Sequence, residues 1–179
     1  MVETFRVRLR KECHVFAAAH FITFNGNICE RLHGHNYAVA VEVAGPLDGN
    51  EYVVDFIALR DELRSLTDEL DHRMLLPLEH PAIRVDVGEG EVEARFEDRR
   101  WVFPRGDCAL LPIAQTTAEL LAKYLGERLL EALRTRNGFV PAEIRVEVDE
   151  NHGQWGVWQK RLVAEPLAIS SMDGGAAKG

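Results

Sequence analysis

The chain lacks several features that define a class of protein on their own. It has only three cysteines in 179 residues, and no CxxC pair is present. A disulfide framework is therefore not expected, which favours a reducing compartment. No apolar stretch approaches the roughly 18 residues of a membrane span, and the N-terminus has no apolar run of signal-peptide length. We expect a cytoplasmic protein without a membrane partner.

Positive charge is also scarce. The 21 lysines and arginines are outnumbered by 29 acidic residues, so the formal net charge is −8. A general nucleic-acid binder would normally carry a basic surface, so we expect no partner of that class. The length and the 46% hydrophobic content predict one globular domain over residues 1–167, followed by a disordered tail at 168–179.

The pattern of apolar residues predicts an α+β fold. Alternation predicts strands, helical spacing predicts helices, and clusters of glycine, proline and asparagine predict turns. The predicted strands cover residues 4–19, 33–44, 143–149 and 155–164, and the predicted helices cover 56–69 and 117–135. This order predicts an antiparallel four-stranded sheet with two helices on one face. The remaining segments are expected to form a hairpin partner at 52–54, a loop at 71–80 and an inserted hairpin at 82–112.

Three signals mark the ends of the predicted helices. Asp55 is a favourable N-cap residue for the first helix. Thr116-Thr117-Ala118-Glu119 matches a capping box at the start of the second helix, and Asn137-Gly138 is expected to end it. Because capping alone would explain Glu119, its carboxylate is given little functional weight.

The seven histidines are the unusual feature of the composition, and two of them, His33 and His35, are separated by a single residue. His33 and His35 open the second predicted strand, where residues i and i+2 share a face at a spacing of roughly 6.6 Å. That spacing allows both imidazoles to reach one metal ion, and Gly34 allows a close backbone approach. His20 is the best candidate for a third ligand. Three histidines without a fourth protein ligand are typical of catalytic zinc sites, which keep one position open.

A thiol precedes these histidines. Cys29 lies four residues before His33, where a nearby cation would lower the pKa of the thiol and make a thiolate base available. The plainer alternative is a buried free cysteine, and we assign that role to Cys13 and Cys108.

Two further positions carry candidate acid–base or binding groups. Asp71 and His72 place a carboxylate beside an imidazole, a pair that can hold or relay a proton. A histidine at a helix C-terminus is also favoured by the helix dipole alone, which is the simpler explanation. Glu150 ends a predicted strand and can accept two parallel N–H bonds from the edge of a heterocycle, unless it is only a solvated loop acid.

Six motifs follow one another along the chain in a recognisable order. They are Phe16-Ala-Ala-Ala-His20, Cys29-Glu-Arg-Leu-His33-Gly-His35-Asn-Tyr37, Val54-Asp55-Phe56, Leu70-Asp71-His72, Thr116-Thr-Ala-Glu119 and Val148-Asp-Glu150. Together they resemble the 6-pyruvoyl-tetrahydropterin synthase and 6-carboxy-tetrahydropterin synthase family. The resemblance covers about residues 4–165 except the insert, in which nothing indicates chemistry.

The resemblance implies a fold, an assembly, a substrate and a cofactor. The fold is the tunnelling fold, whose subunits join as a β-barrel trimer and stack as a hexamer, with active sites between subunits. The substrate is 7,8-dihydroneopterin triphosphate. The cofactor is zinc, and the matching positions imply that His20, His33 and His35 bind it.

The resemblance also implies roles for the remaining site residues. Cys29 would be the base that abstracts a proton, with Asp71 and His72 as its proton-transfer partners. Glu150 would anchor the pterin ring through its N–H edge. Three further residues of the matching motifs are expected to contact substrate: Thr116, Thr117 and Glu30.

The spacing around Cys29 separates the branches of this family. The pyruvoyl branch resembles Cys-x5-His-Gly-His, whereas three residues separate Cys29 from His33, which is similar to the carboxy branch of queuosine synthesis. Glu30 also satisfies Glu-x2-His-Gly-His, similar to a branch that forms 6-hydroxymethyl-dihydropterin for folate synthesis, although it can equally be a solvated loop acid. A 6-carboxy-tetrahydropterin synthase is the first hypothesis. A folate-branch or dual-activity enzyme, a pyruvoyl synthase and a non-catalytic metal- or pterin-binding protein stay open.

Overall fold

The computed structural model describes residues 3–25 and 28–162. The predicted disordered tail at 168–179 lies outside the described residues. The described chain is α+β, as predicted, and neither of its two helices combines the length and apolarity needed to cross a bilayer. The elements in order are β1 (Phe5–His20), β2 (Thr23–Phe24), β3 (Ile28–Cys29), β4 (His33–Gly45), α1 (Phe56–Asp68), β5 (Arg73–Pro77), β6 (Arg84–Val87), β7 (Glu91–Phe96), β8 (Arg99–Pro104), β9 (Cys108–Leu111), α2 (Ala118–Asn137), β10 (Glu143–Asp149) and β11 (Trp155–Arg161).

The main sheet has six strands in the order β11-β10-β4-β1-β5-β9. Its first four strands are antiparallel to their neighbours, which confirms the predicted four-stranded unit. The prediction was incomplete, because β5 and β9 add to this unit in parallel and make the sheet mixed. The inserted segment was also underestimated. It forms a separate three-stranded sheet, β6-β7-β8, and then supplies β9 to the main sheet.

Two predictions of local structure were wrong. Residues 71–80 are not all loop, since β5 runs through Arg73–Pro77 with four of its five residues buried. In a strand that is buried on both faces, apolar residues do not alternate with polar ones. The apolar run of β5 therefore lacks the two-residue repeat by which a strand is predicted. Residues 52–54 form no strand. Instead Val53 and Val54, each 4% exposed, pack into the core beneath α1.

Both helices pack on one face of the sheet, where the main core lies. The Asp55 side chain accepts a hydrogen bond from the Ile57 amide at 2.7 Å, which confirms the predicted cap. Phe56, the first residue of α1, is 52% exposed, so the first buried residue of this helix is Leu59. Gly138 ends α2 in the left-handed conformation at φ 65°, as predicted.

The predicted capping box at the start of α2 does not form. Thr117 is the N-cap residue, and its side chain makes no capping hydrogen bond. Thr116, the residue expected to cap, is completely buried and contacts His20 instead. The Thr116 hydroxyl therefore contacts His20, one of the expected metal ligands, instead of capping α2.

Candidate metal centre and active site

The paired ends of β1 and β4 place three histidines together. His20, the last residue of β1, lies opposite His33, the first residue of β4. His35 follows two residues later on the same face of β4, opposite Ala18. One ring nitrogen from each of the three lies within 4.8 Å of the others. The structure thus brings together the three metal ligands expected from sequence.

Hydrogen bonds orient two of these rings. His20 Nδ1 lies 3.0 Å from the carbonyl oxygen of Thr116, and His33 Nδ1 lies 2.9 Å from that of Arg31. A carbonyl only accepts, so each Nδ1 carries the proton and each Nε2 presents a lone pair. His20 is 1% exposed, and this burial lowers its pKa to about 4. The ring is therefore neutral at pH 7, the form that binds metals.

The unprotonated nitrogens converge on one point. His20 Nε2 and His33 Nε2 are only 3.2 Å apart, and a carboxylate oxygen of Glu150 lies 3.3 Å from His20 Nε2. Lone pairs at this separation repel one another unless a cation lies between them. Two imidazoles oriented by backbone carbonyls are typical of zinc ligation, so the donor set fits a divalent metal.

The close packing of β1 against β4 depends on Gly34. A Cβ atom at this position would lie 2.9 Å from the carbonyl oxygen of Ala18. This confirms the predicted close approach of backbone at the His-Gly-His motif. The glycine thus holds His33 and His35 against the strand that ends in His20.

Glu150, which the sequence predicted to anchor the pterin ring, lies directly beside the histidine cluster. Its Oε1 atom is 3.3 Å from His20 Nε2 and 3.8 Å from His35 Nε2. Tyr37, stacked on Phe16 beneath the cluster, donates a long 3.5 Å hydrogen bond to the same oxygen. Burial and this carboxylate raise the pKa of the Tyr37 hydroxyl. Tyr37 is therefore a fixed donor that holds the Glu150 carboxylate at the site.

Asp71 and His72 form the pair that the sequence indicated. Asp71 Oδ2 lies 2.8 Å from His72 Nδ1, and Asp71 Oδ1 accepts a hydrogen bond from the Ala17 amide at 2.8 Å. That backbone donor is the main reason why the pKa of Asp71 is lowered. The His72 side chain is 82% exposed, and its backbone is left-handed at φ 56°. This strained backbone is anchored by the His72 amide, which donates to the Ala17 carbonyl at 2.6 Å.

An open groove connects the pair to the histidines. It has a volume of about 540 Å³, and both His72 and His35 line it. Arg73 lines it beside His72, while Phe103 and Asp107 reach it from the inserted segment. Phe103 and Asp107 were not identified from the sequence, since no motif connects the insert to the site.

Cys29 is the last residue of β3, and Glu30 follows it on the way into β4; we call the β2–β3 hairpin together with Glu30 the Cys29 turn. The Cys29 thiol contacts the Glu30 carbonyl oxygen at 3.5 Å. Burial raises the pKa of this thiol, and the charge of Arg99 opposes that effect. The sequence predicted a lowered pKa for this thiol, and that prediction assumed a metal ion beside the sulfur. Glu30 Oε2 lies 3.9 Å from His33 Nε2, so this carboxylate borders the histidine cluster.

Thr116 and Thr117 occupy different positions from those expected of substrate ligands. Thr116 is 0% exposed, and its hydroxyl lies 3.2 Å from His20 Nδ1, so it orients a histidine from behind. Thr117 caps α2, and neither threonine lines the groove. His80, to which the sequence gave no role, lies 2.9 Å from the Thr23 hydroxyl beside the Cys29 turn.

The fold and the site together define a class of protein: an α+β domain that holds a three-histidine candidate metal centre beside an Asp–His pair. A sequence model of the family described as 6-pyruvoyl tetrahydropterin synthase matches residues 8–160. The chain belongs to this family of pterin-processing enzymes.

Individual relatives agree with that assignment. A Methanocaldococcus jannaschii protein, named provisionally as a 6-carboxy-5,6,7,8-tetrahydropterin synthase, is 32% identical over 82% of this chain and 90% of its own length. An Aquifex aeolicus protein named 6-carboxy-5,6,7,8-tetrahydropterin synthase is 30% identical over 59% of this chain and 62% of its own length. The solved 6-pyruvoyl tetrahydropterin synthase of Plasmodium vivax is 27% identical with a TM-score of 0.82, over 90% of this chain and 100% of its own.

Proposed function

We propose that the protein converts 7,8-dihydroneopterin triphosphate to 6-carboxy-5,6,7,8-tetrahydropterin, with zinc as cofactor and loss of triphosphate and acetaldehyde. The observation that carries this proposal is the convergence of one ring nitrogen from each of the three histidines within 4.8 Å, beside a groove that His72 and His35 line. Relatives named as 6-carboxy-tetrahydropterin synthases support the choice of branch, as does the three-residue spacing between Cys29 and His33.

In this proposal the histidines form the binding side of the site. His20, His33 and His35 would hold zinc, which when bound supplies a Lewis acid for the side-chain hydroxyls of the substrate. Glu150 would accept N–H bonds from the pterin edge, held in place by Tyr37. Glu150 Oε1 also borders His20 and His35. The pterin ring held by Glu150 would therefore lie next to the substrate side chain held at the histidines.

The remaining candidate residues would move protons. Cys29 would take the proton from the activated side-chain carbon, for which its thiol must first ionise. Asp71 would hold the His72 imidazole through Nδ1, as the 2.8 Å contact indicates, leaving Nε2 free to exchange a proton. Its lowered pKa keeps Asp71 ionised at neutral pH, so the carboxylate remains available to hold the His72 ring.

A second candidate function follows from Glu30. Its carboxylate lies 3.9 Å from His33 Nε2 and is only partly exposed. A solved variant of the Plasmodium vivax protein is described as the alanine mutant of a catalytic glutamate. If Glu30 acts as the base in place of Cys29, the chain would also form 6-hydroxymethyl-7,8-dihydropterin. The residues that would bind zinc and the pterin are the same for both products.

We also propose a cytoplasmic homo-oligomer, a trimer or hexamer. The groove is open to solvent, and His72 is 82% exposed along it, so a second copy would be needed to exclude water from the chemistry.

The experiment that tests the proposal is product identification by mass spectrometry after incubation of the purified, zinc-loaded protein with 7,8-dihydroneopterin triphosphate. 6-Carboxy-tetrahydropterin with acetaldehyde is the expected result. 6-Hydroxymethyl-dihydropterin would support the second candidate, and 6-pyruvoyl-tetrahydropterin would move the chain to the pyruvoyl branch. No turnover, with zinc bound, would contradict the enzymatic proposal.

A further inference from the structure

Strand β8 of the insert contacts the turn that carries Cys29. Arg99 Nη1 donates a hydrogen bond to the Cys29 carbonyl oxygen at 2.7 Å, across 70 residues of sequence. The Arg99 guanidinium lies 4.6 Å above the ring of Trp101. Trp101 in turn stacks on Phe21 with ring centroids 4.4 Å apart. A single stack therefore links the Cys29 backbone to the residue that follows His20.

The insert shares a core with this turn. Phe21, Val92 and Phe96 belong to one buried cluster, and both Cys29 and Trp101 pack against it. Such a shared core fixes the position of β8 relative to β3. Arg99 is only partly exposed, so its guanidinium is held in place by stacking on one side and by a carbonyl on the other.

The other strand of the turn is held separately. Thr23 pairs with Cys29 between β2 and β3, and its hydroxyl contacts both Gln115 and His80. The Glu30 amide donates to the Ile22 carbonyl at 2.9 Å. Arg99 supplies the contact on the Cys29 side, so the turn is fastened along both of its strands.

We propose that Arg99 is a positioning residue, which acts through the Cys29 carbonyl to fix the backbone that carries Cys29 and Glu30 beside His33. The insert thereby acquires a role in the reaction that its sequence did not indicate. The inference rests on the proposed function for the roles of Cys29 and Glu30. The charge of Arg99 also opposes the effect of burial on the pKa of the Cys29 thiol.

The test compares three variants of the zinc-loaded protein. Arg99→Gln removes the charge and the stacking, Arg99→Lys keeps a charged donor, and Arg100→Gln is the matched control. Arg100 is the next residue of β8, but its guanidinium pairs with Glu93 instead. The measurements are kcat, KM, zinc content, and deuterium uptake by the peptide that contains Cys29 and Glu30.

For Arg99→Gln we expect faster deuterium uptake in that peptide and a fall in kcat of about tenfold to a hundredfold. KM should change less than threefold and zinc should stay bound, while Arg99→Lys should recover part of kcat and Arg100→Gln should match the wild type. Unchanged uptake would overturn the inference, and so would faster uptake with unchanged kcat or a loss of zinc together with activity. If the wild type forms no product, the proposed function fails, whereas deuterium uptake still decides whether Arg99 holds the turn. If Arg99→Gln does not fold, Arg99→Lys must show a smaller change of the same kind.

Discussion

His20 is 1% exposed, whereas the His72 side chain is 82% exposed, although both belong to one candidate site. The histidine side of the site, His20, His33 and His35, is built on the paired ends of two long strands. The proposed acid–base side, Cys29, Glu30, Asp71 and His72, is built on a two-residue strand and on irregular segments. The first side has its geometry fixed by strand register and backbone carbonyls. The second relies on separate contacts with distant parts of the chain, such as Asp71 with Ala17 and Cys29 with Arg99.

This difference corresponds to two different physical requirements. A metal ion needs ligands fixed in distance and angle, which neighbouring strands provide. Proton transfer needs groups that substrate can reach and that water can be excluded from later. The acid–base side is therefore left open in the single chain. We expect changes on the histidine side to remove the metal and changes on the acid–base side to slow the reaction with the metal retained.

The largest effect is expected for His33→Ala. His33 is 38% exposed on its side chain, so the fold should tolerate the change, but one of three expected ligands is lost. Zinc content measured by mass spectrometry should fall from one ion per chain to near zero, and turnover with it. His152→Asn, at an exposed turn, is the control and should keep full zinc. Retention of zinc by His33→Ala would show that the three histidines are not the ligand set.

Asp71→Asn should keep zinc but slow the reaction. The amide still accepts from Ala17, but it places a neutral group instead of a carboxylate against His72 Nδ1, so kcat should fall by about a hundredfold or more. Steady-state kinetics with zinc analysis checks this, with Asp68→Asn, an exposed acid at the end of α1, as the control. An unchanged kcat would exclude the Asp–His pair from the reaction.

Glu150→Gln separates the two possible roles of the carboxylate that borders His20 and His35. As a pterin anchor, Glu150 should affect substrate binding, so KM should rise about tenfold or more while zinc stays bound. Glu89→Gln, exposed in the insert, is the control. If zinc is lost, Glu150 belongs with the histidine side as a fourth ligand.

The smallest effect is expected at His14, a buried histidine of β1 outside the site. It is 0% exposed, and burial lowers its pKa below the usual value. The unfolded chain therefore binds a proton more readily than the folded chain as pH falls below about 6.5, so acid destabilises the fold. Denaturant midpoints of the metal-free protein at pH 7.5 and 5.5 should differ less in His14→Leu than in the wild type. An equal difference would show that His14 carries no such linkage.

The same contrast explains what the sequence could predict. The β1 and β4 strands and the three histidines were predictable, because strand period and i, i+2 spacing are local properties. The α2 cap was mispredicted because Thr116 makes a contact with His20, 96 residues away, that competes with helix capping. The β5 strand, the position of β8 beside Cys29 and the Tyr37–Glu150 contact depend on tertiary packing, which no local pattern encodes.

We expect metal binding and proton transfer to be carried by separate sides of the site. Zinc content of Cys29→Ala, determined per chain on a preparation that has lost turnover, tests this division most directly. One zinc per chain is expected, as in the wild type, because the expected ligands are all on the histidine side. Loss of the metal together with activity would make Cys29 a ligand and would contradict this division.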